Sequence, residues 1–537
     1  MSSLLIYNAD LLSFQEGFPK GNDSMLLENG VIKAIGKMDA LQSFADSGIR
    51  KMDAEGKTIM PGFNDSHIHI WKAGNLKTFM LDLRPAKSLD HMLSMLSDYN
   101  RRFPGAQWIT ARGFNDAAWE NGKFPTKSDL DKVTKVKPIF IIHTSAHSAV
   151  ANTKALELAS VDLHTPVPEG GEMQIGEDGH PNGVFSETAL GLIAPHLPAY
   201  SKEELKIMVS SAREEMYRYG ITAATDPAVD PLLLEAYREM NSDQTLGFRL
   251  NVIPILLPDG SEDPFPVPDF FDSPFLKLNA VKFFSDGGLS NKTAALKRAY
   301  KNSDDYGILR LKKNSYLRLS RAAMEKGLGI ATHAIGDLAI DFVIDVYKEL
   351  QDSFPGLIKR IEHLGLPDAK NLEAMAAYHI AASMQSIFIY ELGRNFRKYL
   401  DEDYLNRCYP VKSVLRHGIL LALSSDAPVV QDFNPFKGLE AAVTRKDRDG
   451  NTIAAAEAIT VEEGLTAYTS HAARISDRGD FGILEEGKLA DIILLNSNPL
   501  NTPADQLSKI SVEKTFIGGE LVWQSGGKNE MEQNTRS

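Results

Sequence analysis

The chain of 537 residues is 43% hydrophobic and 24% charged, as in an ordinary globular protein, and its length predicts a large catalytic domain with at least one smaller domain. Its 58 basic and 71 acidic side chains give a formal charge of −13, which disfavours nucleic-acid and membrane partners because acidic chains repel phosphate groups. The single cysteine, Cys408, excludes an intrachain disulfide and a cysteine-rich zinc site.

The N-terminal segment MSSLLIYNAD has neither the basic region nor the sustained apolar region of a signal peptide. No stretch reaches the ~18 apolar residues that a membrane-spanning helix needs. We therefore expect a cytoplasmic enzyme with a small-molecule substrate and no membrane partner. A homodimer is the base-rate expectation for its oligomeric state.

Both ends of the chain show the pattern of short strands. Residues 4–60 alternate around turn signals such as Asn29-Gly30, and residues 512–523 are interrupted by Gly518-Gly519. Neither end alone supplies enough strands for a stable core. We therefore predict that residues 1–60 and 484–525 together form a small composite β-sandwich domain, followed by a flexible tail at 526–537.

Between the ends, short apolar strands alternate with helical stretches, which favours βα units and a parallel sheet. Eight strands predict an α/β fold, a (β/α)8 TIM barrel, over residues 61–483. The predicted strands are Ile59–Asp65, Gly220–Asp226, Leu250–Leu256, Leu278–Asp286, Gly329–His333, Lys359–Gly365, Ile380–Gln385 and Leu420–Asp426.

The connection between the first two predicted barrel strands, from Asp65 to Gly220, is too long for a loop without structure of its own. It contains strand-like segments and turn-rich stretches. We predict that residues 75–215 form an inserted subdomain that lies over the barrel mouth and acts like a lid.

Two histidines, His67 and His69, follow the first predicted barrel strand at positions i and i+2. On an extended chain this spacing points both rings to one face. At the C-terminal end of a barrel strand, both rings would reach the mouth where barrel active sites lie. Imidazole pairs suit zinc and similar divalent metals. For this pair alone, the alternative is that two histidines occur at the start of a loop by chance.

Four further polar residues interrupt apolar strands near their C-terminal ends. They are Lys282, His333, His363 and Asp426. A buried lysine, histidine or aspartate costs several kcal/mol unless it is paired or bound to a ligand. Because five strands converge on one mouth, these residues together indicate a functional site.

These motifs resemble those of the metal-dependent amidohydrolase superfamily, in particular its amidohydrolase-3 (YtcJ-like) branch, which includes proteins of the N-substituted formamide deformylase type. The resemblance covers nearly the whole chain, and the combination is specific where each motif alone is not. The matching segments are Pro61–His69, Val281–Gly287 followed by Thr293-Ala294, Thr332–Asp337, Glu362-His363, Ser425–Pro428 and Leu484–Asp491.

The resemblance implies a binuclear metal centre. His67, His69 and Asp426 would hold the first metal, and His333 and His363 the second. Lys282, carbamylated by carbon dioxide, would bridge the two. Two such metals can hold a hydroxide between them at neutral pH. Asp426 would take the proton of this hydroxide and pass it to the leaving nitrogen.

Other residues are weaker candidates for contacts to the substrate. His147 stands where the branch often has Asp-Gly-His, but this chain departs from that pattern at two of three positions. Asp286 suits a turn, a support for the metal ligands or a substrate contact. Gln385 suits a donor to the substrate or a core amide. Trp119 suits an apolar pocket or plain packing.

The implied activity is hydrolysis of a non-peptide C–N bond in an N-substituted amide, formamide, carbamate or urea. The alternatives are a mononuclear deaminase of a heterocycle, against which Lys282 argues, and a scaffold that has lost activity, against which the complete ligand set argues. The expected cofactors are two divalent metal ions and carbon dioxide as the lysine carbamate. Zinc is the first expectation, and the same ligands accept iron, manganese, cobalt or nickel.

Overall fold

The computed structural model describes residues 3–14, 17–18, 21–45, 49–116, 119–120, 122–144, 148–168, 171–258 and 261–526. The chain divides into two compact units. The first unit comprises Met1–Ile70 and Arg213–Ser537, and the second comprises Trp71–Ala212. Apart from Gly526, the predicted tail at 526–537 lies outside the described residues. Across the described ranges, no helix is long and apolar enough to cross a membrane.

The chain begins with short strands. Asn29 and Gly30 both have positive φ, 54° and 84°, which is the backbone of a tight hairpin turn, and the strands on either side pair antiparallel. The elements are β1 (Leu4–Tyr7), β2 (Asp10–Leu11), β3 (Ser24–Glu28), β4 (Val31–Gly36), α1 (Met38–Ala45), β5 (Arg50–Asp53), β6 (Thr58–Pro61), β7 (Phe63–Asp65) and α2 (Ile70–Asn75).

The second unit is built on a six-stranded sheet. Its central strand alternates, so that Ile139 and Ile141 join one apolar cluster and Phe140 joins another. The elements along this part of the chain are β8 (Leu81–Asp82), α3 (Leu89–Arg102), β9 (Ile109–Phe114), α4 (Lys127–Leu130), β10 (Ile139–His143), β11 (Ser148–Ala151), α5 (Thr153–Leu158), β12 (Glu172–Ile175), β13 (Pro181–Ser186) and α6 (Lys202–Arg218).

The chain then returns to the first unit, where strands alternate with helices. The elements are β14 (Ile221–Val229), α7 (Pro231–Ser242), β15 (Arg249–Pro254), β16 (Phe271–Asp272), β17 (Leu276–Leu278), β18 (Ala280–Phe284), α8 (Lys313–Glu325), β19 (Gly329–Ala334), α9 (Asp337–Gln351), β20 (Lys359–His363), α10 (Ala369–Ala377), β21 (Ala381–Met384), α11 (Ile387–Tyr399), α12 (Glu402–Asn406), α13 (Val411–Arg416), β22 (Leu421–Leu423), α14 (Pro435–Thr444), α15 (Val461–Tyr468), α16 (Ser470–Ile475), β23 (Ile492–Leu495), β24 (Val512–Ile517) and β25 (Glu520–Gln524).

Two parallel arrays carry the site. In one, β7, β14, β15 and β17 are parallel neighbours; in the other, β18 to β22 follow in order. A parallel bridge between Ile255 and Lys282 joins the arrays at one side. At the other side, the backbone N–H of Asp426 donates to His67 O at 2.7 Å. The C-terminal ends of these strands therefore lie at one edge.

The predicted single strand Ile59–Asp65 is wrong, because the chain changes sheets at Gly62. β6 pairs antiparallel with β23, whereas β7 pairs parallel with β14. A Cβ at Gly62 would lie 2.3 Å from Thr222 Oγ1, so only glycine allows this close approach. The predicted strand Leu278–Asp286 is also two strands, β17 and β18, separated at Asn279, whose side chain donates to Ser476 O.

Strands from both ends of the chain share a sheet with the order β2-β6-β23-β24-β25. This sheet and the β4-β3-β1-β5 sheet contribute to one apolar cluster, in which Leu27 and Ile32 join Ile492 and Phe516. Because these apolar side chains are buried against each other, the N-terminal and C-terminal segments stabilise one another. A buried ion pair, Arg249 Nε to Asp491 Oδ2 at 2.5 Å, ties β15 to the residue before β23.

Candidate metal centre

Three side chains converge where β7 and β22 end. His67 Nε2 and His69 Nε2 each lie 3.4 Å from Asp426 Oδ1. One donor atom from each residue fits within 4.8 Å of the other two, and Asp426 Oδ1 is buried with no hydrogen-bond partner in the described ranges. Two imidazole nitrogens and one carboxylate oxygen at this spacing suit a divalent cation.

Two further histidines lie beside this group. The ring centroids of His363 and His67 are 4.7 Å apart, and those of His363 and His333 are 4.4 Å apart. His363 and Asp426 have φ values of 74° and 56°, a region that non-glycine residues occupy at a cost of order 1–3 kcal/mol. Such strain is typical of residues whose side chains must point to a ligand.

Lys282 lies on β18 with its side chain fully buried. Its Nζ atom has no hydrogen-bond partner within the described part of the chain and lies 5.0 Å from the ring of Phe284. Burial lowers the pKa of Lys282 to about 8, although the negative charges of Glu362 and Asp426 raise it. At neutral pH an appreciable fraction of this amine is therefore uncharged.

Asp286, four residues after Lys282 on the same strand face, could have paired with it, but Lys282 Nζ has no hydrogen-bond partner in the described part of the chain. The Asp286 carboxylate accepts hydrogen bonds from the backbone N–H groups of Ile335, Gly336 and Ala295 at 2.8–3.0 Å. It therefore holds together the loops after β18 and β19. Burial raises the pKa of this carboxyl to about 7, although the three amides lower it. A contact between Asp286 and the substrate stays a prediction.

Three of the clustered histidines, His67, His333 and His363, are uncharged at neutral pH. Burial, followed by the positive charge of Lys282, holds the pKa of His67 well below its usual value and lowers the pKa of His333 to about 3. Burial and the neighbouring His333 likewise lower the pKa of His363. A neutral imidazole keeps the lone pair that binds a metal.

Glu362, quoted above only as part of a motif, positions His67. Its Oε2 lies 2.5 Å from His67 Nδ1, and its Oε1 lies 2.5 Å from Arg360 Nε. Burial by itself raises the pKa of Glu362, but the charges of Arg360 and Lys282 hold that pKa below its usual value. The ionised carboxylate can only accept, so His67 Nδ1 carries the proton and Nε2 carries the lone pair facing Asp426.

Two other side chains support the remaining ligand candidates. Gln385 Oε1 lies 2.7 Å from His363 Nδ1, while Gln385 Nε2 donates to Ser424 at 2.9 Å. The residue thus positions His363, and its contact with substrate stays a prediction. Asp226 Oδ1 lies 3.9 Å from His69 Nδ1, and its Oδ2 accepts from Tyr237 at 2.5 Å. Asp226 was missed, although it also ends an apolar strand.

The two remaining candidates, His147 and Trp119, come from the predicted inserted subdomain, residues 75–215. His147 lies outside the described residues. Trp119 is buried in the apolar cluster of the second unit, where its indole N–H donates to Ala86 O at 3.0 Å. This environment fits the packing role that the sequence also allowed, and its contact with substrate stays a prediction.

Replacement of Glu362 by glutamine should lower metal affinity by about 10- to 100-fold, the usual range for losing a residue that orients a metal ligand. The amide keeps the shape but presents an N–H group that competes with the His67 proton. Metal titration of the purified protein measures the effect. Glu457→Gln, which alters another buried glutamate that accepts from Ser413, is the matched control. Equal metal affinity in the Glu362 variant and wild type would show that Glu362 does not position His67.

The donor set fits a metal centre. Four imidazoles, the carboxylates of Asp426 and Glu362 and the amine of Lys282 come together here, and Lys282 Nζ and Asp426 Oδ1 lack hydrogen-bond partners among the described residues. Orphaned buried polar atoms are costly in a finished protein core. The ligands of a hard or borderline divalent cation have this composition.

The sequence matches known proteins over nearly its full length. A sequence model described as "Amidohydrolase family" matches residues 50–523. The Bacillus subtilis protein named "Putative amidohydrolase YtcJ" is 28% identical over 516 residues, which cover 94% of this chain and 96% of that protein. The N-substituted formamide deformylase of Arthrobacter pascens is 26% identical over 547 residues, which cover 98% of this chain and 99% of that protein.

The fold is similar to that of a solved structure. An uncharacterised metal-dependent hydrolase from Pyrococcus horikoshii superposes with a TM-score of 0.78 and 25% sequence identity, over 94% of this chain and 99% of the other. The resemblance that the sequence motifs indicate is therefore confirmed by sequence and fold alike.

Proposed function

Because the chain belongs to the amidohydrolase family and is a hydrolase acting on carbon–nitrogen bonds, we propose that it cleaves a non-peptide C–N bond in an N-substituted amide, formamide, carbamate or urea. The formamide deformylase of Arthrobacter pascens, similar over 98% of this chain, supports an N-substituted formamide as the first compound class to test. The catalytically inactive scaffold is disfavoured because all six proposed ligand positions are filled.

We propose that His67, His69 and Asp426 hold one divalent metal, and that His333 and His363 hold a second. The support is that these residues converge at one edge of the strands and that His67, His333 and His363 are uncharged. Zinc is the first expectation, and iron, manganese, cobalt or nickel suit the same ligands. When bound, such metals polarise the substrate carbonyl and make water a nucleophile at neutral pH.

The observation that carries the proposal is the environment of Lys282. Its fully buried Nζ lacks a hydrogen-bond partner among the described residues, and its charge helps to lower the pKa of the buried histidines His67, His333 and His363. Addition of carbon dioxide would convert this amine into an anionic carbamate with two oxygens, which could bind both metals. The conversion of the neutral amine would release one proton, avoid the cost of a buried cation and offer the metals an anionic ligand.

Asp426 would act as general base and then as general acid. Its Oδ1 is near the candidate ligands His67 and His69 and has no hydrogen-bond partner in the described ranges. Asp426 would accept a proton from the attacking water and transfer it to the leaving nitrogen. An amine leaves more readily once protonated, so the same carboxyl serves both halves of the reaction.

We also propose the finer architecture. The parallel order of the strands and the bonds between the two arrays support a closed (β/α)8 barrel. The shared sheet of β6, β23 and β24 supports a β-sandwich domain from residues 1–60 and 484–525. A lid role for residues 75–215, a cytoplasmic location and a homodimer stay predictions.

A mononuclear heterocycle deaminase is the second candidate. His67, His69 and Asp426 form a three-ligand group without any other residue, and one metal needs no bridging lysine. The amidohydrolase proposal is preferred because a mononuclear site leaves Lys282 buried and unused.

Metal analysis under controlled carbon dioxide separates these functions. Metal-stripped protein should be reconstituted with zinc in bicarbonate-free buffer and in buffer with bicarbonate, then assayed against N-formyl amines, N-acyl amines, carbamates and heterocyclic amines. We expect bicarbonate to raise second-metal occupancy and hydrolytic activity together. One metal per chain with deaminase activity would establish the second candidate instead, and no bound metal would establish the inactive scaffold.

A further inference from the structure

Three serine hydroxyl groups contact one another near the C-terminal ends of β7, β21 and β22. Ser66 Oγ lies 2.7 Å from Ser383 Oγ, which lies 3.2 Å from Ser424 Oγ. All three side chains are fully buried. Gln385 connects them to the candidate metal centre, because its Nε2 donates to Ser424 at 2.9 Å and its Oε1 lies 2.7 Å from His363 Nδ1.

The sheet itself brings these side chains together. Ser383 and Gln385 stand two residues apart along an extended chain, so both point to the same face. β22 pairs with β21 in parallel register, with Leu423 opposite Met384, and the backbone N–H of Ser424 donates to Met384 O at 3.0 Å. Ser424 is therefore placed beside Gln385 by backbone hydrogen bonds of the sheet.

A backbone carbonyl fixes the direction of the hydrogen bond between Gln385 and Ser424. The Ser424 hydroxyl donates to Met384 O at 3.2 Å, and a carbonyl can only accept. Because its one proton is used there, the hydroxyl must accept from Gln385. The amide therefore turns its nitrogen to Ser424 and its oxygen to His363. His363 Nδ1 then carries the proton, and Nε2 keeps the lone pair that can bind a metal.

The opposite orientation of the Gln385 amide loses a hydrogen bond. In the observed orientation His363 donates to Gln385, and Gln385 donates to Ser424. Ser424 in turn donates to Met384 O, which makes three hydrogen bonds. Turning the amide over would leave two, from Ser424 to Gln385 and from Gln385 to His363, and would move the ring proton to Nε2. Without the Ser424 hydroxyl, each orientation keeps a single bond, and the preference disappears.

We propose that Ser424 is a positioning residue, which locks the amide of Gln385 and thereby holds His363 in the tautomer that can bind a metal through Nε2. The inference rests on the proposed function in one respect, because it takes His363 as a ligand of the second metal. The tautomer is a property of the metal-free chain, so its measurement does not depend on metal binding or on activity.

The first test measures this tautomer in metal-free protein. With ¹⁵N-labelled histidine rings, NMR distinguishes protonated from unprotonated ring nitrogens, and a His363→Asn spectrum identifies the signals of His363. We expect wild type to carry the proton on Nδ1. In Ser424→Ala the form protonated on Nε2 should become clearly populated, since one net hydrogen bond changes such a ratio by about 2- to 10-fold. Ser386→Ala is the matched control, because it removes another buried hydroxyl, which donates to Gly438 O at 2.7 Å, and it should keep the wild-type tautomer.

A change at Gln385 separates positioning from packing. In Gln385→Glu both side-chain oxygens accept, so the His363 proton stays on Nδ1 whichever way the carboxylate faces. Ser424→Ala should therefore leave the tautomer unchanged in the Gln385→Glu background, although it mixes the tautomers when Gln385 is present. An equal effect in both backgrounds would assign Ser424 to packing and overturn the inference. A Ser424→Ala protein with the proton still on Nδ1 alone would overturn it as well.

Metal titration extends the test to the loaded protein. Metal-stripped protein should be titrated with zinc in a calorimeter, in buffer with bicarbonate. We expect second-metal affinity in Ser424→Ala to fall by about 2- to 10-fold, because the binding tautomer is less populated and the ring is less well oriented. First-metal affinity should stay unchanged, and a second-metal affinity equal to that of wild type would overturn the inference. If wild type itself bound fewer than two metals, the proposed function would fail, and the tautomers of the metal-free protein would still decide the role of Ser424.

Discussion

Replacement of Lys282 by alanine is expected to lower kcat by at least about 10³-fold, because the bridge that orders two metals would be lost. Bound metal should fall from two ions per chain towards one. Small carboxylic acids such as formate or acetate, added to the assay, should restore part of the activity by supplying two oxygens in place of the carbamate. Steady-state kinetics and metal analysis on the same preparation measure both effects.

Lys282→Arg separates the carbamate from a simple positive charge. Arginine keeps the cation but cannot form the carbamate, so we expect this variant to be as inactive as the alanine variant. Lys359→Ala is the matched control, because Lys359 is also a buried lysine but begins β20, at the end of the strand opposite His363. It should change stability more than turnover. An active Lys282→Arg protein with two metals would refute the carbamate.

Asp426→Asn is expected to lower kcat by at least about 10²-fold, the usual scale for loss of a general base. Asparagine keeps one oxygen for the metal but cannot take a proton from water. It also tolerates the φ of 56° at this position, so backbone strain should not confuse the result. Alanine would be a poorer probe, because it removes the ligand and leaves a strained backbone.

Metal content decides how the Asp426→Asn result is interpreted. We expect metal binding to fall less than turnover, so a metal-replete variant should remain slow. If metal content and turnover fell in the same proportion, Asp426 would be assigned to metal binding alone. Near-normal turnover in a metal-replete Asp426→Asn protein would show that another group carries the proton.

Much of the site could be predicted from strand ends. His333, His363, Asp426 and Lys282 each interrupt an apolar strand near its C-terminal end, and the described structure brings these strand ends together at one edge. Parallel strands in register align their C-terminal ends, so positions along the sequence translate directly into positions in space.

Supporting residues were harder to predict. Glu362 also interrupts an apolar strand, but its partner His67 is 295 residues away along the chain. Asp286 lies four residues after Lys282, yet its carboxylate accepts hydrogen bonds from three backbone amides in the loops after β18 and β19. Local spacing does not identify the partners of Glu362 and Asp286, because those partners belong to segments that meet only in the folded chain.

The sequence by itself determined the family, the alternation of strands and helices, and the residue types of the candidate ligands at the strand ends, since each depends on residue identity and short spacing. The tertiary structure decided which nitrogen of His67 faces Asp426 and where the chain changes sheets at Gly62. These features depend on contacts between distant segments, where a difference of one ångström separates a hydrogen bond from a clash.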